Sequence, residues 1–127
     1  MAEPSWWNDL TGVSPVLAAE DRAEVAEWGD EEIPLTVRLA HAARSFARHA
    51  RELSGEQRRQ VLGVLETVLA GGSELDGNAV ATGFFEALLA AADRGFDLQL
   101  VWDDLGPESR AYCEAWDKFT GVRRHLG

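Results

Sequence analysis

An all-α fold is predicted by three observations. Apolar residues recur at three- and four-residue steps through most of the 127-residue chain, strand-like runs of Val, Ile and Thr are scarce, and Gly or Pro falls between the periodic segments. With 46% hydrophobic residues, five Trp and five Phe, a chain of this length closes one core. No repeat and no low-complexity linker divides it. The expectation is a single-domain bundle of roughly five to seven helices with short loops, with residues 1–14 as an N-terminal arm and 122–127 as a frayed tail.

The elements follow in order. PSWWNDLT, residues 4–11, makes a short helical turn at best, and Pro15 suits the first position of a helix over 15–28 that Gly29 stops. The loop GDEEIP leads to a helix over 35–53, where Leu35, Leu39, Ala42, Phe46, Ala50 and Leu53 form one buried stripe. Ser54 and Gln57 are spaced as a capping box for the next helix, which carries Val61, Leu62, Leu65, Val68 and Leu69 inward and ends at Gly71 and Gly72. Ser73 or Asp76 opens a fourth long helix, with Val80, Phe84, Ala87, Leu88 and Ala91 toward the core and a stop at Gly95. FDLQLVWDDLGP also alternates at period two, so strand and helix compete there. A short helix is favoured because Asp97 is a good N-cap and Phe96 and Val101 are spaced as a hydrophobic staple. The last helix, PESRAYCEAWDKFTG, is expected to bury Tyr112, Trp116 and Phe119 and to end at Gly121.

Charge is unevenly placed along this frame. The 22 acidic and 12 basic residues give -10 and a pI near 4.6, which repels phosphate backbones and attracts basic partners. Residues 38–59 nevertheless hold six arginines against Glu52 and Glu56, a local net of +4 that leaves -14 for the remainder. On a helical wheel His41, Arg44, Arg48 and Arg51 lie opposite the Phe46 stripe. The segment from Glu20 to Glu32 carries seven acids and one arginine, so two arrangements are open. Either the two faces pack and pair within the molecule, or the acidic patch stays apart and docks a basic protein through Glu24, Glu27, Asp30, Glu31 and Glu32. The Trp6–Trp7 pair has the same two readings, a lid folded onto the bundle or exposed anchors at an interface.

The remaining inventory disfavours catalysis. His41 and His49 are eight residues apart, about 12 Å of helical rise, too far to share a zinc ion. His125 sits in the tail and adds no constellation. Cys113 reads as a small buried hydrophobe; as the one cysteine, it excludes an internal disulfide and fits a reducing compartment. Asn78, Thr82 and Glu86 recur every fourth residue as a polar contact line, and a buried Glu86 would need a partner or a raised pKa. No phosphate loop, EF-hand spacing, GxSxG or GxGxxG is present, so no catalytic residue, metal or other cofactor is expected. No apolar run reaches the roughly 18 residues a membrane span needs, and no signal peptide is visible at MAEPSWWNDL. A cytoplasmic protein is the expectation.

VLETVLAGG, NAVATGFFEAL and LGPESRAYCEAWDKFTG, within residues 60–121, resemble a family of small acidic all-helical bacterial proteins, immunity-like partners in polymorphic toxin systems. The shared residues Phe84, Phe85, Tyr112, Trp116 and Phe119 read as core, and the resemblance supplies no catalytic residue. It implies an immunity-like partner of a toxin. Joined to the acidic charge, which favours a basic target over nucleic acid, and to the lack of a membrane-spanning run, the expectation is a protein that neutralises a basic toxin domain by stoichiometric binding through an acidic surface, with no nucleic-acid or membrane partner. Two alternatives stand beside it: a helical adaptor without a toxin partner, and a small-ligand protein with a pocket near Glu86.

Overall fold

The computed structural model describes residues 3–120, which form seven helices and, among the described residues, no strand. Helix α1 spans Trp7–Thr11, α2 Pro15–Trp28, α3 Leu35–His49 and α4 Gly55–Gly71. Helix α5 (Glu74–Ala79), a π turn (Val80–Phe85) and α6 (Glu86–Asp93) run on as one rod, followed by α7 (Gln99–Trp102) and α8 (Pro107–Thr120). The helix answer for the 96–102 segment therefore stands. The Gly121 stop, the 122–127 tail and His125 lie outside the described residues.

Local chemistry sets these boundaries. The Ser14 hydroxyl accepts from the Val16 amide ahead of Pro15, and Gly29 adopts φ 64°, a left-handed turn that releases the chain from α2. Ser54 and Gln57 form the reciprocal capping box, and Ser73, not Asp76, caps α5. Helix α3 ends at His49, earlier than its apolar stripe suggests. Arg58 of α4 reaches back and donates to the carbonyls of Ala50 and Leu53, giving that final turn partners outside a regular helix.

The π turn sits at the centre of the packing. A regular helix would bury Phe84 and Leu88 while turning Phe85 and Leu89 partly outward. The wider turn lets all four reach 0% exposure. Phe84 lies 6.0 Å from Phe46 of α3 and 5.3 Å, edge-on, from Phe85. Helix α3 crosses this turn at Gly83, where an added Cβ would stand 2.7 Å from the Thr36 carbonyl oxygen and 3.0 Å from the Leu39 Cβ. Leu39, Leu62, Leu65, Val61, Val80 and Val101 fill the rest of the interior, each worth about 1.5–3 kcal/mol of burial. Trp7 and Leu10 of α1 belong to the same core, so the N-terminal arm is an integral wall of the bundle from residue 7 onward.

Helix α8 departs from expectation at one residue. Its buried side is Ser109, Cys113 and Asp117, at steps of four, and Tyr112 and Trp116 flank that stripe half-buried. Phe119, expected in the core, is 84% exposed, because two positions past Asp117 is about 200° around the helix. Its ring lies 5.9 Å from Trp116. Among the described residues, no helix is long and apolar enough to cross a membrane.

Candidate functional site

Two of the three arginines of α3, Arg38 and Arg48, are engaged with acids of this same chain. Arg38 donates to both carboxylate oxygens of Asp21, Nε to Oδ1 at 2.9 Å and Nη2 to Oδ2 at 2.7 Å, and pairs with Glu3 at 2.7 Å. Its guanidinium stacks 4.7 Å over the Trp7 ring, whose indole N–H donates to Asp21 at 3.2 Å. Further along, Arg48 and His49 share Glu20, with His49 Nε2 at 3.0 Å, while the other ring nitrogen of His49 meets Glu52 at 3.0 Å. Arg51 reaches Asp97 instead of an α2 acid.

These contacts explain the titration of the cluster. The His49 hydrogen bond pulls the Glu20 carboxyl below its ordinary value, and the same bond raises His49. Glu24 and His41 behave oppositely. Burial raises Glu24, with Asp21 adding to it, and burial lowers His41, reinforced by Arg44. The two stand 3.7 Å apart, too far for a hydrogen bond, and Glu24 Oε1 is buried without one. Both environments favour the neutral form.

Two of the residues expected on a docking surface, Glu24 and Trp7, are buried instead. Glu24 is 8% exposed and Trp7 1%, so neither can meet a partner. Trp7 is a lid residue, inserted because α1 closes one end of the core. Trp6 is half-buried, its ring 5.9 Å from Trp7 and its indole N–H donated to Asp76 at 3.0 Å. Glu27, Asp30, Glu31 and Glu32 remain on the outside, the last three in the loop that leads into Ile33.

Beside that loop lies an open groove of about 430 Å³ between the start of α3 and helix α5. Ile33, Pro34, Leu35, Leu75 and Ala79 supply its apolar surface; Thr36, Arg38, Asp76, Asn78, Thr82 and the arm residues Glu3 and Pro4 supply its edges. Leu75 is 73% exposed, which leaves a large apolar side chain facing the opening. Two of the three polar-line residues meet here, Asn78 and Thr82. The third does not. The π turn after Ala79 breaks the four-residue spacing, and Glu86 turns to α8, where it accepts from the Tyr112 hydroxyl at 2.6 Å. Burial first, then that carboxylate, raises the Tyr112 pKa well above its usual value. Glu86, named in the small-ligand alternative, is not among the residues that line this groove.

Two devices were not read from the sequence. Glu66 on α4 accepts from the amides of Glu108 and Ser109 at 3.0 and 2.9 Å and from the Ser109 hydroxyl at 2.8 Å, so a side chain from another helix caps α8. Burial pushes the Glu66 carboxyl up, and the three hydrogen bonds outweigh it and leave its pKa lowered. Gly106 admits the carboxylate, since an added Cβ would come within 2.3 Å of it. The only advance signal was Gly-Pro-Glu-Ser at a helix start without a capping side chain before it. The groove had none either, because Leu75 and Ile33 lie off every apolar stripe. Among the described residues, no group of three His, Cys, Asp or Glu is placed to hold a metal ion.

Fold and site together define a small all-helical domain with an open, part-apolar groove bordered by carboxylates. The chain belongs to the family described as a domain of unknown function, DUF7674, which matches residues 8–121 and so spans α1 to α8. No curated protein and no solved structure matches it.

Proposed function

We propose that this chain is a stoichiometric protein-binding protein and not an enzyme: an inhibitor of the immunity type, which captures a basic toxin domain in the cytoplasm. The observation that carries this reading is the adjacency of the outward acidic loop, Asp30 to Glu32, to a groove with an exposed leucine. A net charge of -10 steers a basic partner and accelerates encounter, while apolar contact in the groove slows its release. The pairing of Glu20 and Asp21 with α3 confines the docking charge to Glu27 and the loop beyond it. Groups placed for acid–base or nucleophilic work are not needed for such a role; of the titratable residues that line the groove, Glu3 and Arg38 pair with each other and Asp76 accepts from the Trp6 indole.

The test is co-expression with a candidate basic toxin domain taken from a gene adjacent to the one for this chain. The expected result is a 1:1 complex that co-purifies and protects the cells. Cells that die despite full expression of the chain, with no complex recovered, would overturn the reading.

A further inference from the structure

The groove carries more polar capacity than an apolar anchor site requires. Asn78 is exposed on its edge, and its side-chain amide makes no hydrogen bond among the described residues. The Thr36 hydroxyl is likewise uncommitted, and Thr82, whose hydroxyl donates to the Asn78 carbonyl at 2.8 Å, keeps its own lone pairs. A primary amide offers N–H donors and a carbonyl acceptor side by side, the complement of one peptide unit. A helical partner has satisfied its own backbone and has no use for this pairing. An extended one must find such partners.

The charged groups lining the groove are Glu3, Asp76 and Arg38, a net of -1. Asp76 uses one carboxylate oxygen for the Trp6 indole, and Glu3 shares Arg38 with Asp21. Asp30, Glu31 and Glu32 immediately precede Ile33 in the chain. A cationic side chain is therefore favoured beside the apolar contacts of Leu75, Ile33 and Leu35, and an anionic one is repelled. The volume of about 430 Å³ lies within the range of roughly 300–1,000 Å³ in which small ligands and short peptide segments are held.

We infer that the groove between α3 and α5 binds a short extended peptide segment carrying Lys or Arg next to apolar residues, its main chain read by Asn78. This rests on the protein-binding reading above and names the part of the partner that docks. Asn78 acts as a positioning residue, Leu75 as the apolar contact, and the carboxylates of Glu3 and Asp76 as the selectors of charge.

The experiment uses the full chain, isotopically labelled, and three capped pentapeptides: Leu-Lys-Val-Arg-Leu, the same peptide with Glu at both charged positions, and the basic peptide N-methylated at its central amide. Saturable shifts of the Asn78 side-chain amide and the Trp6 indole N–H by the basic peptide, at concentrations up to about 1 mM, are expected. The acidic peptide should move neither. N-methylation and Asn78→Ala should each weaken binding about tenfold, and together no more than either alone. Leu75→Asp, also at an exposed position, should abolish the shifts with an unchanged spectrum elsewhere. No shift from the basic peptide, equal response to the acidic one, or indifference to N-methylation would overturn the inference. A co-expressed partner that binds Asn78→Ala and Leu75→Asp as tightly as the parent would remove the groove while leaving the inhibitor reading intact; loss of the complex in the parent chain itself would instead remove that reading.

Discussion

At the scale of single residues, the side chains that matter most are those whose partners lie far away in sequence. Glu66 satisfies two orphan amides and a hydroxyl at the start of α8, so Glu66→Ala should lower stability by about 1–3 kcal/mol in urea unfolding at neutral pH. Its carboxyl is lowered in the folded state, so its contribution is present above the ordinary value of 4.5 and is lost as pH falls through the folded one. The variant's acid limb should accordingly be flatter. Gly106→Ala should destabilise the parent chain but little further disturb Glu66→Ala, since the three nearest atoms that the added methyl group would meet all belong to the Glu66 side chain. Equal penalties in both backgrounds would show the clamp to be incidental. The two histidines of α3 provide a signed pair. His49 is raised, so its stabilisation is complete below 6.5 and fades as pH rises through its folded value; His41 is lowered, so a penalty sets in as pH falls below 6.5. Between about pH 8 and pH 5.5, His49→Gln should lose stability relative to the parent and His41→Gln should gain it. Slopes of the same sign would contradict both environments.

At the scale of elements, what could be read in advance was whatever depends on neighbours in the chain. The Ser54–Gln57 box, the stop at Gly29 and the stripe of α3 from Leu39 to Phe46 are local patterns, and they stand as expected. The π turn escaped because a 3.6-residue period, once assumed, assigns Val80, Phe84 and Leu88 to one face and has no place for Phe85 and Leu89 beside them. Two adjacent phenylalanines followed by two adjacent leucines were the available clue. Gly83 marks the same feature from the other side, since it is the point where the backbone of α3 comes closest. Gly83→Ala should push α3 outward and destabilise the bundle by about 1–3 kcal/mol or more, read as a lower thermal midpoint and faster hydrogen exchange at Phe84 and Phe85. An unchanged midpoint would mean that α3 slides without loss. Phe119 differs from expectation for a related reason, because its position on α8 falls off the stripe of Ser109, Cys113 and Asp117, and aromatic character alone does not bury it.

At the scale of the whole molecule, the excess of negative charge is divided into two populations by the fold. One part, Glu20 and Asp21, is spent on holding α2 to α3, an assignment the segregation of acids and arginines along the chain already suggested. Glu27 and Asp30 to Glu32 are exposed, the last three in the loop that runs into the groove residue Ile33, and only the three-dimensional arrangement brings Leu75 of α5 and the residues that follow that loop to one surface. A sequence reading could name the acidic loop but not the cavity it borders, because the two sides of that cavity are some forty residues apart. On the function proposed above, this outward charge recruits a basic partner. The measurement that tests it is the rate of association with the basic toxin domain proposed as partner, followed by stopped flow across ionic strength, for the parent chain and for the variant in which Asp30, Glu31 and Glu32 are all Ser. The variant is expected to remain folded, to associate about tenfold more slowly at low salt and to show a flatter salt dependence. Identical rates and identical salt slopes for the two proteins would contradict it.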